Sequence, residues 1–389
     1  MAAGIPSLPP PVFVDDADGL DPNLVLADMI AAFEAAAGST LQPAQVERLL
    51  INLYAYRESL VRNAIQYAAQ QNLLAFAVFP MIDYLGQLVG VTRLAAQSAA
   101  TVLEFTLASA LTVTVTIAQG TMVGTSDGQY SFSTTAVLTM LAGALSGSVE
   151  ATALQAGADA NGYLPGQVNA LLSPSAIIAG VSNTVVTAGG SSPETDDHLR
   201  ARIQAAPNQF SVAGPAGAYR FFALGVDPSI VDAQVVSPAP GQVNVYVLTG
   251  PVTVQPQSSP NPAGVAGAPL LERVASELSA DSVRPLTDTV NVLAIGEIDY
   301  QITATITLYS DADPGVTMAA ANTAAVQYAL GLAAKIQRDI VPSQVVAALS
   351  VAGVYEVALS EPAYTQLTPG QWANCTAVSL TQAVSGEHS

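Results

Sequence analysis

The 389-residue chain has one cysteine, one tryptophan, two histidines and a single lysine, and these shortages exclude more chemistry than its motifs suggest. With Cys375 alone, no intrachain disulfide and no multi-thiolate metal site can form. Any histidine-dependent base must be His198, which lies in an acidic stretch and reads as a solvated face position, or His388, in the terminal tail. Lys335 falls in a helical pattern with no glycine-rich loop before it, so phosphate-loop and Schiff-base chemistry are unsupported. Only 11% of residues are charged, and 30 acidic against 11 basic residues leave a net charge of -19, which repels phosphate backbones and argues against direct nucleic-acid binding. No apolar run reaches bilayer length; the longest candidate, Met318 to Ala334, is interrupted by Asn322 and Gln327. Met1 to Val14 lacks a basic start followed by a long apolar run, so no secretory signal, membrane insertion or anchor is expected.

What the chain does have is apolar character, at half of all residues. That fits either a subunit whose surface is covered by neighbours or an acidic monomer with an alanine-rich coding bias. The opening Gly4 to Asp21 is rich in Pro, Gly and Asp and reads as an extended arm over 1–21, ordered against a partner. Its Asp15, Asp16, Asp18 and Asp21 resemble a calcium loop, but the glycine is misplaced and no glutamate closes it, which favours a solvated acidic arm.

Residues 22–100 carry helical periodicity. A first helix spans Leu24 to Ala37 and stops at Gly38; Ser39 or Thr40 caps a second that runs to about Phe79, with Pro43 in its first turn. The second places Val46, Leu49, Leu50, Leu53, Leu60, Val61, Ala64, Ile65, Ala68 and Leu74 on one face, with Tyr54, Tyr56 and Tyr67 at its edges. A helical hairpin with the first helix would explain part of that stripe, and packing against other chains would explain all of it.

From Thr101 the period changes to two: Leu103, Phe105 and Leu107, then Leu111, Val113, Val115 and Ile117, alternate with polar residues. Further short strands, at Tyr130 to Thr134, Val137 to Leu141 and Ser148 to Leu154, are separated by glycine-bearing turns, Gly157 to Gly162 being the densest. Residues 101–188 therefore read as an all-β domain. Connecting helices occupy 189–225. Gly189 and Gly190 end a strand, Ser192 caps, Pro193 takes the first helical position, and Glu194, Asp196 and Asp197 sit where the helix dipole favours anions. A helix from Pro215 to Leu224 follows.

Residues 226–389 alternate helices with hairpins: strands Ile230 to Val236 and Val243 to Thr249, a loop from Gly250 to Gly267, helix Pro269 to Ala280, strands Thr289 to Ile295 and Ile298 to Leu308, helices Val316 to Arg338 and Ser343 to Ser350, and strand Val354 to Ser360. The fold class expected is multi-domain α+β: long amphipathic helices first, an all-β domain in the centre, and one or two α+β sandwiches for subunit pairing at the end.

The run Gly-Gly-Ser-Ser-Pro-Glu-Thr-Asp-Asp-His-Leu-Arg-Ala-Arg-Ile, from Gly189 through Glu194, Asp196, Leu199, Arg200 and Arg202, with Gly214 and Tyr219 beyond it, resembles the central signature of the baseplate J-like family of contractile phage tails and related injection machines. Other landmarks follow in family order: Leu53 to Leu60 with its Ala-Tyr-Arg-Glu core, Ile82 to Gly86, Gly90 to Arg93, Ile117 to Thr121, Gly157 to Gly162, and Arg284-Pro285-Leu286-Thr287-Asp288. Phe79-Pro80-Met81 replaces a frequent glycine before the Leu-Asp pair, and the usual aspartate before Pro193-Glu194 is missing.

The resemblance implies a non-enzymatic structural subunit of the baseplate wedge, with no cofactor and no metal. It implies a helix bundle with copies of itself and a companion wedge protein, using Val46, Leu49, Leu50, Leu53, Tyr56, Arg57, Leu60, Val61 and Ile65, and C-terminal contacts that link wedges into a ring around the central hub. Arg57, Glu58 and Arg93 would be framework ion pairs. Host contact would rearrange the wedges and the tail sheath would contract; the protein would reside in the virion tail baseplate after assembly in the host cytoplasm. The rival reading is a tail-associated, β-rich carbohydrate-binding or glycan-degrading protein, because paired carboxylates are not excluded by counting.

Overall fold

A computed structural model describes residues 9–14, 20–173, 175–210, 214–250, 264–280, 283–285 and 287–383. The chain divides into two compact units: Met1–Arg93 with Thr195–Ala206, and Leu94–Glu194 with Pro207–Ser389. The stretch 189–225 is shared between them.

The first unit is helical. Asp21 caps α1 (Pro22–Ala37) by accepting the Asn23 N–H, and Gly38, left-handed at φ 67°, ends it. Asp21 is thus a helix cap rather than part of a solvated arm, while Asp15, Asp16 and Asp18 lie outside the described residues. α2 covers Val46–Gln70, shorter than the Thr40 to Phe79 expected. At its start, the Leu41 N–H goes to the Glu34 carboxylate and the Gln42 N–H to the Gln45 side chain, which holds 41–45 in a turn. At its end, the Gln71 side chain accepts the Val78 N–H, folding 71–80 into turns ahead of α3 (Met81–Gln87). The arm is held from within the chain: the Phe13 N–H donates to Gln66 Oε1 at 2.7 Å, and Gln66 Nε2 donates to the Pro11 carbonyl at 2.6 Å. The unit is completed by α4 (Asp196–Ala205), which arrives from more than a hundred residues downstream.

The second unit opens with an antiparallel barrel that is nearly closed. Its strands are β1 (Ala100–Leu107), β3 (Met122–Thr125), β4 (Ser131–Thr134), β6 (Ser146–Ala153), β7 (Val168–Leu171) and β8 (Ile178–Asn183), hydrogen-bonded in the order β7-β3-β4-β6-β1-β8. A two-stranded sheet of β2 (Val115–Ile117) and β5 (Leu138–Met140) stands beside it. The long strand expected from Leu111 shrinks to β2 because its partner offers only those three residues. Leu103, Phe105, Val123, Phe132 and Val168 fill the interior, as the period-two pattern requires. Between the end strands β7 and β8, buried Asn183 bridges the seam: its Oδ1 accepts the Val168 N–H, and its Nδ2 donates to the carbonyls of Leu164 and Val185.

Beyond a 3-10 turn at Ala206–Phe210 come α5 (Ala216–Leu224), β9 (Ile230–Ala239), β10 (Gln242–Thr249), α6 (Ala268–Leu278) and β11 (Thr289–Ala294), the strands ordered β11-β10-β9. β12 (Gly296–Leu308) then starts a second sheet, ordered β13-β12-β14, with β13 at Val354–Glu361 and β14 at Gln371–Gln382; it is covered by α7 (Pro314–Ala333) and α8 (Pro342–Leu349). The expected hairpin of β11 and β12 does not form. β11 instead runs parallel to β10, because Ile295 is buried beside Trp372 and the Gly296 N–H is given to the Gly370 carbonyl, which hands the chain from one sheet to the next. β14, parallel to β12, was not expected at all: Asn374, Thr376, Ser379 and Thr381 interrupt its apolar residues. α7 stops at Ala333 rather than Arg338, where the Trp372 indole N–H takes the Ala333 carbonyl at 2.7 Å and Asp232 takes the Ile336 N–H.

Candidate assembly surface and the locks formed by the signature

α2 keeps small and polar residues inside and its large apolar ones outside. Its buried residues are Ala55, Ser59 and Gln66, whose spacing places them on one side. The opposite side carries Val46, Leu49, Leu50, Leu53, Arg57, Leu60 and Val61, all exposed, with Val46 at 67%, Leu50 at 50% and Leu53 at 57%. Tyr56 and Ile65 flank this stripe and are exposed too. Val46, Leu53, Leu60 and Tyr67 recur every seven residues, with Leu50, Arg57 and Ala64 four beyond the first three; this is the spacing of a coiled-coil seam carrying one charged position. Glu58 pairs with Arg62 one turn on, at 2.9 Å, and Arg57 lies exposed within the stripe. Burying each leucine would contribute roughly 1.5–3 kcal/mol.

The signature, by contrast, separates into three locks. In the first, α4 is bound by polar groups to the segment 74–93. Arg93 grips Asp83 with two hydrogen bonds of 2.9 and 3.0 Å, reaches Asp196 at 2.7 Å and lies over the Phe79 ring. Asp196 Oδ2 accepts the Phe79 N–H. Burial alone would raise the Asp196 carboxyl, but the hydrogen bonds from Arg93 and Phe79 outweigh it and hold it below the usual carboxylate range. Arg200 donates to the carbonyls of Leu74 and Ala77, each at 2.8 Å, Arg202 donates to the Thr92 carbonyl, and Leu199 is fully buried. The cap of α4 is Thr195, which accepts the His198 N–H, and not Ser192; Pro193 and Glu194 precede the helix. Glu194 therefore does not serve the helix dipole. It is buried and accepts the Leu94 N–H at 2.8 Å, while its own N–H bonds to the Leu94 carbonyl.

The second lock ties Gly189-Gly190 to the Gly157–Gly162 turn. The Gly190 N–H donates to Asn161 Oδ1, the Asn161 amide returns a bond to the Gly190 carbonyl, and a Cβ on Gly190 would collide with the Gly157 carbonyl. The third brings Gly214 and Tyr219 to Arg284, Pro285 and Asp288. Tyr219 OH donates to Asp288 at 2.9 Å, and burial followed by that bond pushes its phenol upward. Arg284 donates to the Asp288 carbonyl, and Gly214, at φ 69°, lies so close to Pro285 that a Cβ would be 2.8 Å from its ring.

Four models of one family match the chain in order: the baseplate J-like N-terminal domain over residues 47–100, the barrel domain over 102–190, the central domain over 211–294 and the C-terminal domain over 300–381. The chain belongs to the baseplate J-like family. Baseplate protein J of Escherichia phage P2 is 36% identical to this baseplate J-like chain over 169 residues, which are 43% of this chain and 52% of that protein. The alignment thus spans about half the length of that relative. A chain in the cryo-EM structure of the anti-feeding prophage baseplate, six-fold symmetrised, is 15% identical, with 91% of this chain and 90% of that one aligned at a TM-score of 0.41.

Several groups that hold this baseplate J-like chain together gave little sign in its sequence. Asn161 stood inside a turn cluster and Asn183 at a strand end, where either reads as a turn residue. Trp372 proves to be fully buried, against Gly264, where a Cβ would sit 2.6 Å from its ring. Lys335 stands 3.7 Å from Asp232, which also receives Arg220, and the Cys375 thiol is pushed up by burial. Among the described residues, no group of three or more His, Cys, Asp or Glu side chains is placed to hold a metal ion, and no helix is long and apolar enough to cross a membrane.

Proposed function

We propose that this chain is a structural subunit of a contractile-tail baseplate, and that α2 joins it to helices of neighbouring copies and of a companion wedge protein. The observation that carries the reading is the outward stripe from Val46 to Ile65, backed by a buried side of Ala55, Ser59 and Gln66 that already satisfies the rest of the unit. A seam of this spacing is covered by another helix rather than by solvent. The C-terminal sheet region supplies the contacts that link wedges into a ring around the hub, and rearrangement of the wedges passes the trigger to the sheath. The three signature locks are framework in this scheme, since each is occupied in fixing one segment of the chain to another. The reading needs no catalytic step, cofactor or nucleic acid. Burial of Trp372, the sole tryptophan, leaves that residue unable to line a sugar cleft and favours the structural role over glycan recognition.

Native mass measurement of the full chain, alone and co-expressed with the other tail proteins of its particle, tests the proposal. The expected result is self-association alone and a stable complex with a companion tail protein. A monomer indifferent to those proteins, or release of sugar from host glycan, would overturn it.

A further inference from the structure

The two outer strands of the C-terminal sheet differ in a way that assigns them different roles. β13 is blunted by the means that keep sheet edges from pairing: Glu356 and Glu361 lie on it, Pro362 follows it, and its pairing with β12 shifts register twice. β14 has none of these over its last turns of pleat. It is twelve residues long, contains no Asp, Glu, Lys, Arg or Pro, and after one register shift near Tyr300 runs regularly beside β12 from Ala377 to Gln382. The Ala383 N–H is given to the Ile306 carbonyl, so by alternation the N–H and C=O groups of Val378, Leu380 and Gln382 face away from β12. Among the described residues no strand pairs with that edge. Val378 and Leu380 pack against the core of the sheet yet remain half-buried, because the sheet stops beside them.

We propose that β14 is the edge on which two copies of this chain join, by antiparallel pairing of Ala377–Gln382 across a two-fold axis. The inference rests on the proposed assembly role and names the strand that pairs copies in the C-terminal region. Charge selects the occupant. Copies carrying a net charge of -19 repel one another over most faces, and this edge brings no charge to the approach. A basic partner would find nothing here to recognise. The strand is also self-complementary: pairing about Leu380 sets Ser379 beside Thr381 of the second copy and lays Val378 and Leu380 on one face, where each completes the other's burial. The backbone groups of both edges are satisfied at once.

The test uses the full chain carrying Ser379→Cys and Thr381→Cys, oxidised and run without reductant, with Ala358→Cys on β13 as control; native Cys375 is buried and does not compete. The expected result is a covalent dimer of twice 39.6 kDa for the β14 variant and a monomer for the control. Ser379→Lys with Thr381→Lys should weaken self-association at least tenfold with an unchanged circular dichroism spectrum. A folded β14 variant that does not cross-link, or that cross-links only to a co-expressed tail protein, overturns the inference. Co-purification of companion proteins, read on the same samples, separates the two ideas: if companions bind while β14 stays unlinked, this inference fails alone, and if neither occurs the proposed function fails with it.

Discussion

α2 and α4 belong to the same helical unit, yet they place their side chains by opposite rules. α2 keeps small and polar residues inside and turns its leucines out; α4 buries Leu199 and sends Arg200 and Arg202 inward to take backbone carbonyls. A helix whose polar groups find fixed partners within the chain is finished by folding. One whose apolar side stays exposed keeps a contact surface that folding leaves open. On the proposed reading, the contrast separates what holds the chain together from what it offers to others.

The largest effect expected is on assembly. Leu50→Asp with Leu53→Asp puts two carboxylates in the centre of the stripe, where a covered seam would bury them unpaired, and should abolish complex formation with companion tail proteins. Because both leucines are exposed in the chain alone, its unfolding free energy should stay within about 0.5 kcal/mol of wild type. Loss of folding along with assembly would mean that the stripe is a core face, and the contrast would collapse.

Arg200→Ala reverses that pattern. It strips the hydrogen bonds from the Leu74 and Ala77 carbonyls and should lower stability by about 2–3 kcal/mol in urea unfolding, at unchanged stoichiometry of the complex that still forms. A neutral outcome would place the hold of α4 in Leu199 rather than in the arginines.

Asp196→Asn acts at the same lock with a pH signature. The folded carboxyl lies below its unfolded value of about 3.9, so its stabilisation is complete above that pH and disappears as pH falls through the lower folded value. At neutral pH the substitution should cost about 1–2 kcal/mol, and the gap between variant and wild type should begin to narrow below about pH 4 and vanish only below the lower folded value. A gap independent of pH would mean that shape, not charge, is what Asp196 supplies.

How much of this was legible in the sequence depends on the range of the forces involved. Periodicity gave the barrel interior, because Leu103 and Phe105 must alternate wherever the strand is placed. It also picked out the α2 stripe, without telling whether that face would be covered from within the chain or from outside. The helix limits were missed where side chains reach across the sequence to stop them: Gln71 to Val78 for α2, and Trp372 to Ala333 for α7. β14 was missed because its stability comes from its long parallel pairing with β12, a non-local gain that a polar-spotted pattern does not announce. The signature residues stood out as a group, and local rules then misassigned some of them, Glu194 above all, because their partners lie about a hundred residues away.

The smallest effect expected belongs to a local contact at the start of α4. Thr195 accepts the His198 N–H and so satisfies one orphan donor at the start of α4, at an exposed position where water can partly replace it. Thr195→Ala should therefore cost about 1 kcal/mol, Thr195→Ser almost nothing, and neither should alter assembly. Ser192→Ala should leave stability unchanged, since Ser192 lies outside the helix. If Thr195→Ala instead cost as much as Arg200→Ala, α4 would be held by its own helix formation rather than by the carbonyls of 74–92, and its difference from α2 would reduce to one of helix propensity.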